Sequence, residues 1–231
     1  MRFGIQKTSL VDYPGRVSAV LFMAGCTLRC PYCHNPELVE PAVAESAGLV
    51  SVDEVLAFLA RRRDVLTGVV LSGGEPTLHA GLPELARTIR ALGFRIKLDT
   101  NGTLPGCILP VGADYIAMDL KSSPERYAEL WPGAPEDAGG RIRSSVKAVR
   151  HSGVEYEFRI TCAPGIFAEA DAEAIAALLA PGDAVFLQRY RPGRVLDPVW
   201  ASGAFPYTEE RLSGLLDIVR SAAPKAKIRG F

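Results

Sequence analysis

The feature that most constrains this fold is an alternation of strand and helix signals along nearly the whole chain. The apolar run "RVSAVLFMA" (16–24) reads as a first strand, and "GVVLSGG" (68–74) as a second that ends in glycines. "FRIKLDTNG", "ADYIAMDLK", "VEYEFRITCAPG" and "DAVFLQRYRPG" continue the series, and "AKIRG" forms a short last strand. Helical segments fall between them. "SVDEVLAFLARRR" opens with Ser51 as an N-cap and carries Glu54 three residues on, the pattern of a capping box, with Val55, Leu56, Phe58 and Leu59 as its apolar stripe. "GLPELARTIRALG" places Pro83 in the first turn and Gly93 at the stop. "RIRSSVKAVRHSG", "EADAEAIAALLAPG" and "TEERLSGLLDIVRSAAP" read as three more helices, and "WPGAPEDAGG" (131–140) as an interior loop. Strands that alternate with helices predict parallel pairing with right-handed crossovers. A complete eight-fold barrel takes about 250 residues, and this chain has 231. The expected fold is therefore α/β, a partial (β/α)6 TIM-like barrel. No linker splits the chain, so one domain is expected over 1–231, with a segment 1–16 leading into the first strand and a cysteine loop at 25–37.

Composition narrows the function classes. Lys+Arg and Asp+Glu both number 26, so the chain has no overall field to drive binding to nucleic acid or acidic membranes. The basic runs "RRR" (Arg61–Arg63) and "PKAKIR" read as solvated surface. "VSAVLFMAG" is too short to cross a bilayer and is no signal peptide, which predicts a cytoplasmic protein. Thiols stay reduced there. Five cysteines, three of them clustered, favour a metal site over a disulfide framework.

The unusual residues sit where strands end. Cysteines follow the first strand, "SGGEP" the second, "DTNG" the third and "DLK" the fourth. In parallel α/β folds that face carries the active site. Cys26, Cys30 and Cys33 have the spacing Cys-x3-Cys-x2-Cys, which suits three irons of a cubane cluster and leaves the fourth without a protein ligand. Zinc is the alternative. It needs a fourth ligand, and His34 directly follows Cys33, so ligation by both would be strained. Cys107 and Cys162 read as small buried core residues. Glycines at a strand end allow backbone to approach a ligand closely. Arg159 interrupts an apolar strand, so it must face the barrel mouth or pair with an acid, and Cys162 is expected to share its face.

The cysteine loop with Tyr32 just before its last cysteine resembles the radical S-adenosylmethionine (SAM) superfamily. "GIQKTSLVDYPGRVSAVLFMAGCTLRCPYCHNPELV", "LSGGEPTL", "KLDTNGT", "DYIAMDLK", "EFRITCAPG", "LQRYRPG" and "LDP" extend the likeness over nearly the whole chain. They are most similar to glycyl-radical-enzyme activases of the anaerobic ribonucleoside-triphosphate reductase group. The resemblance implies an enzyme with a 4Fe-4S cluster on Cys26, Cys30 and Cys33 and SAM on the open iron. It implies that Ser72, Gly73, Gly74 and Glu75 hold the SAM amino group. Asp99, Thr100, Asn101 and Asp119 would meet the ribose or, for Asp99, Thr100 and Asp119, a monovalent cation. Lys121 would meet the SAM carboxylate and Arg159 would face SAM. Tyr32 and His34 would pack beside the cluster, and Gln188 and Tyr190 would lie on the substrate side. The implied partners are a glycyl radical enzyme, the anaerobic ribonucleotide reductase first, and flavodoxin or ferredoxin as electron donor. The alternatives are another glycyl radical enzyme, a small-molecule radical SAM enzyme similar to 7-carboxy-7-deazaguanine synthases, or a zinc-binding α/β protein.

Overall fold

One sheet collects strands from both ends of the chain. The structure, a computed structural model, describes residues 1–39 and 48–230. The strands are β1 (Arg2–Ser9), β2 (Ser18–Met23), β3 (Val50–Ser51), β4 (Gly68–Gly73), β5 (Arg95–Thr100), β6 (Tyr115–Asp119), β7 (Glu155–Cys162), β8 (Val185–Arg189) and β9 (Lys227–Arg229). Their order is β3-β1-β2-β4-β5-β6-β7-β8-β9. From β2 to β9 every pairing is parallel, as the strand–helix alternation predicts. The expected α/β architecture with a mostly parallel sheet is thus present.

The N-terminus differs from the sequence reading. Segment 1–16 is not a plain lead-in, because β1 pairs antiparallel with β2 (Phe3↔Met23, Ile5↔Leu21) and β3 pairs antiparallel with β1. β1 shows no clear apolar alternation, and three consecutive residues, Gln6 to Thr8, are exposed. Its strand state comes from its neighbours rather than from its own pattern.

The longer helices are α1 (Val52–Ala60), α2 (Leu82–Ala91), α3 (Ala138–Arg150), α4 (Glu169–Ala176), α5 (Pro198–Gly203) and α6 (Glu209–Arg220). Ser51 caps α1 with the reciprocal bonds of a capping box: its Oγ accepts from Glu54 N, and Glu54 Oε2 accepts from Ser51 N (2.7 Å). Helix α3 starts inside the segment read as a loop, and α5 went unread.

Strand parity decides which side chains meet. Successive strand residues face opposite sides of the sheet. Ile96, Leu98, Ile116, Met118, Phe158 and Ile160 share the large core with Leu85, Ile89, Val146, Ile175 and Leu215 from the helices. Each such apolar side chain stabilises the fold by about 1.5–3 kcal/mol on burial. The opposite parity carries Lys97 and Asp99 on β5, Asp119 on β6, Glu157, Arg159 and Thr161 on β7, Gln188 on β8 and Arg229 on β9, and these line one cavity. A small second cluster of Tyr13, Val20, Val70, Tyr115 and Ala117 packs on that parity as well.

Candidate active site

The cysteine loop follows β2 at the carboxyl edge of the sheet. Its three cysteines are free, Cys30 buried and Cys26 and Cys33 half-buried, and all three line the same cavity of about 1100 Å³. The loop is tied on several sides. Gly25, at φ +90°, donates its N–H to Leu38 O (2.6 Å), and Arg29 N–H bonds Leu130 O (2.7 Å). The segment before α5 crosses the loop, with Leu196 N–H on Cys33 O and Asp197 N–H on Pro31 O, both at 3.0 Å. Tyr32 is buried with its ring against Trp200 (6.2 Å), which meets Tyr190 edge-on at 5.1 Å. His34 is exposed, and its Nε2 lies 3.0 Å from Arg191 O.

Burial pushes the Cys26 thiol up to about 11 and the Cys30 thiol up to about 12. Both are therefore neutral thiols unless a metal supplies the charge that stabilises their thiolates. Three soft ligands on one loop, all facing one cavity, fit an iron–sulfur cluster. Among the described residues no three His, Cys, Asp or Glu side chains are arranged to hold a single metal ion. Sulfurs that bind separate irons stand wider apart than sulfurs that share one ion.

The glycine pair at the end of β4 serves the cysteine loop. Gly73 lies at φ +125°, and a Cβ there would stand 2.2 Å from Met23 N. At Gly74 a Cβ would stand 2.1 Å from Gly25 O. Two bonds hold this contact: Gly74 N–H on Met23 O and Glu75 N–H on Gly25 O, both 2.8 Å. The requirement for glycine is met by the approach of protein backbone, where the sequence suggested approach to a ligand. Ser72, Gly73 and Gly74 do line the cavity.

Glu75 does not. It is fully buried, and its carboxylate accepts from Thr77 N–H (3.1 Å), Thr77 Oγ1 (2.5 Å), Thr100 Oγ1 (2.8 Å) and Asn101 N–H (2.6 Å). The expectation that Glu75 meets a cofactor amino group is corrected: it ties the end of β4 to the end of β5. Burial raises its carboxyl, against the pull of these bonds. Asn101 continues the tie toward the cysteines, with Nδ2 donating to Thr27 Oγ1 (3.0 Å) and lying 3.7 Å from Cys26 Sγ.

The opposite wall is ionic. Register places Asp119 beside Arg159. Arg159 donates through Nε to Asp119 Oδ1 (2.7 Å) and through Nη2 to Oδ2 (3.1 Å), with Nη1 3.5 Å from Asp99 Oδ1. Lys121 Nζ lies 3.1 Å from Asp119 Oδ2, and Lys97 Nζ donates to Asp99 Oδ1 (2.6 Å). Burial alone would raise the Asp119 carboxyl, but Arg159 and Lys121 hold it well below the usual carboxylate range. Burial likewise opposes the charge on Lys121, and Asp119 overrides it so that the ammonium is held more firmly. Arg159 thus does both things its sequence position allowed, facing the cavity and pairing with acids. Of the three residues expected to meet a monovalent cation, Asp99 and Asp119 carry protein cations and the Thr100 hydroxyl donates to Glu75.

Several charged groups of this cavity went unread, among them Lys97, Glu157, Arg189, Arg191 and Arg229. Lys97 and Asp99, alternating with Ile96 and Leu98 in one strand, were the available signal. The cysteines outside the loop diverge. Cys107 is exposed, against expectation, while Cys162 is buried. Cys162 lies three residues from Arg159 and therefore on the opposite face, within the core shared with the helices.

A family model described as the Radical SAM superfamily matches residues 20–178. A protein of Methanocaldococcus jannaschii that carries the name of a glycyl-radical enzyme activating enzyme is 32% identical over 216 residues, 90% of this chain and 87% of that one. The pyruvate formate-lyase-activating enzyme of Staphylococcus epidermidis is 34% identical over 134 residues, 51% of each chain. Among solved structures, a radical SAM methyltransferase from Sphaerobacter thermophilus superposes with a TM-score of 0.63 at 22% identity, covering 96% of this chain and 68% of that one. That last likeness shows the fold alone.

Proposed function

Because the chain belongs to the radical SAM superfamily and to its group of glycyl-radical-enzyme activases, we propose that it takes a hydrogen atom from one backbone glycine of an anaerobic ribonucleoside-triphosphate reductase. It is an enzyme of a 4Fe-4S cluster and SAM, and its partner is a glycyl radical enzyme. The reductase as that partner is our reading, as are flavodoxin or ferredoxin as electron donor, the single domain and the cytoplasm as location. No helix among the described residues is long and apolar enough to cross a membrane.

The observation that carries the proposal is that the three cysteines, the glycine pair and the ionic wall line one open cavity. At about 1100 Å³ it exceeds the range of about 300–1,000 Å³ common for small-molecule sites. That space would hold the cluster as well as SAM. In this reading Cys26, Cys30 and Cys33 hold the cluster. The backbone of Ser72–Gly74 offers acceptors to the SAM ammonium, and Lys121 meets its carboxylate. The chemistry supplied when both are bound is one-electron cleavage of SAM to methionine and a 5′-deoxyadenosyl radical. The chain positions these groups and keeps water away. Asp119 orients Arg159 and Lys121 toward the cavity, and Tyr32 with Trp200 shields the cluster loop.

Electron paramagnetic resonance of the reconstituted, reduced protein with SAM and the reductase tests this. A glycyl doublet that needs all components is expected. Formation of 5′-deoxyadenosine without a doublet would keep the SAM chemistry and remove the partner. Replacing Cys26, Cys30 or Cys33 with Ala is expected to abolish both cluster and cleavage.

A further inference from the structure

Part of the cavity wall lies apart from the cysteine loop, the glycine pair and the ionic wall. Below the ionic wall, Glu157 is 1% exposed and accepts from Arg229 Nη1 (3.1 Å), Arg229 Nη2 (2.9 Å) and Tyr115 Oη (3.0 Å). Arg229 stands on β9, the last strand at its end of the sheet, and its side chain is 41% exposed. Its guanidinium carbon lies 3.6 Å from the centre of the Phe186 ring. The plane is therefore fixed twice, by stacking and by a bidentate carboxylate. A guanidinium has five N–H groups. Two are spent on Glu157, and the others have no acceptor among the described residues.

Charge selects what meets those free donors. Arg229 is matched by Glu157, and its neighbour Lys97 by Asp99. An anionic small molecule gains little from these two cations, already neutralised at close range, and would have to turn instead to Arg189 and Arg191, which line the same cavity with no carboxylate partner among the described residues. A peptide backbone suits the arrangement: it is neutral, and it presents carbonyl oxygens at regular spacing. The other lip of the cavity agrees, for Val11 lines it and is 85% exposed, an apolar residue held out beside a polar floor. Such a lip fits a protein partner.

Resting on the reading above, we infer that Arg229, locked by Glu157 and Phe186, is a substrate-positioning residue that clamps backbone carbonyls of the partner's glycine loop.

The test compares wild-type protein with Arg229→Gln, Arg229→Lys and the double variant Glu157→Gln/Arg229→Gln, each reconstituted with iron and sulfide. The probe is the anaerobic ribonucleoside-triphosphate reductase of the same source organism, with a carboxylated pterin as the competing class. Dissociation constants are read by anaerobic titration, and coupling as glycyl radical formed per 5′-deoxyadenosine. Arg229→Gln is expected to weaken reductase binding about tenfold and to lower the coupling ratio, as loss of charged hydrogen bonds does. Arg229→Lys is expected to recover only part of this, since an ammonium cannot reproduce the fork. The double variant leaves no buried carboxylate unpaired and is expected to show the same weakening, which separates the role of Arg229 from damage to the fold. Wild-type affinity and coupling in the double variant would overturn the assignment of Arg229 while the activase reading stands. Pterin binding that depends on Arg229 would overturn the peptide assignment. A wild-type protein that cleaves SAM and never yields a radical on the reductase would overturn both.

Discussion

Two carboxylates at strand ends, Glu75 buried beside the cavity and Asp119 half-buried on its wall, meet opposite partners. Glu75 is surrounded by neutral donors, two backbone N–H groups and two threonine hydroxyls. Asp119 is surrounded by the cations of Arg159 and Lys121. Burial raises the carboxyl of the first, and the cations lower that of the second in spite of burial. The difference separates cohesion from ligand chemistry. A carboxylate knotted by neutral donors fastens two strand ends and has nothing left to offer a ligand. A carboxylate that steers two cations along a cavity wall lends them to whatever enters.

The comparison can be broken from its stronger side. Glu75→Leu leaves four buried donors without an acceptor and is expected to cost about 3–5 kcal/mol, read by urea denaturation of the apoprotein. A loss no greater than that of a surface substitution would show that the knot is not what joins β4 to β5. Gly74→Ala forces a methyl into Gly25 O and is expected to cost about 3 kcal/mol, with iron incorporation falling in parallel because Gly25 precedes Cys26. Full iron content in that variant would detach the glycine pair from the cysteine loop.

Asp119→Asn should cost less, about 2 kcal/mol, while SAM affinity measured by equilibrium dialysis drops at least tenfold. A larger stability loss than in Glu75→Leu, with SAM binding intact, would reverse the comparison. Thr77→Val removes one donor from the knot and should cost about 1 kcal/mol.

The smallest effect concerns pH. The Asp119 carboxyl is depressed, so its contribution is present above the ordinary aspartate value of about 3.9 and is lost only as pH falls through a lower folded value. Lys121 is raised, so its contribution is present below the ordinary lysine value of about 10.4 and is lost only as pH rises beyond it. The difference in melting temperature between wild type and Asp119→Asn should therefore be constant from about pH 5 to 9. Glu75 has the opposite sign. With its carboxyl raised, stability declines as pH rises from the ordinary glutamate value of about 4.3 toward the folded one, and Glu75→Gln should remove that slope.

Much of this could be read in advance. Strands β4 to β8 carry apolar runs bounded by turn residues, and α1 announces itself through Ser51 and Glu54. β1 could not be read, because its extended state depends on Met23, Phe22 and Leu21 across the ladder. Helix α5 had a local signal that went unused: Asp197 caps it, accepting from Val199 and Trp200 N–H at 2.9 Å, with Pro198 next. Within the site, the cysteines and glycines were legible as types at a spacing. The role of Glu75 was not, since Thr100 and Asn101 lie far along the chain, at the end of another strand and just beyond it.

The sequence by itself determined the chemistry on offer: three thiols on one loop, glycines at one strand end, and acids and bases at the ends of others. Residue type and local spacing carry that information, because each motif is completed within a few bonds of itself. Only the tertiary structure decided which groups pair. Register set Asp119 against Arg159, strand parity sent Arg159 and Cys162 to opposite faces, and the last strand brought Arg229 to Glu157. Those outcomes depend on which strands adjoin and in what alignment, and no short stretch of chain contains that.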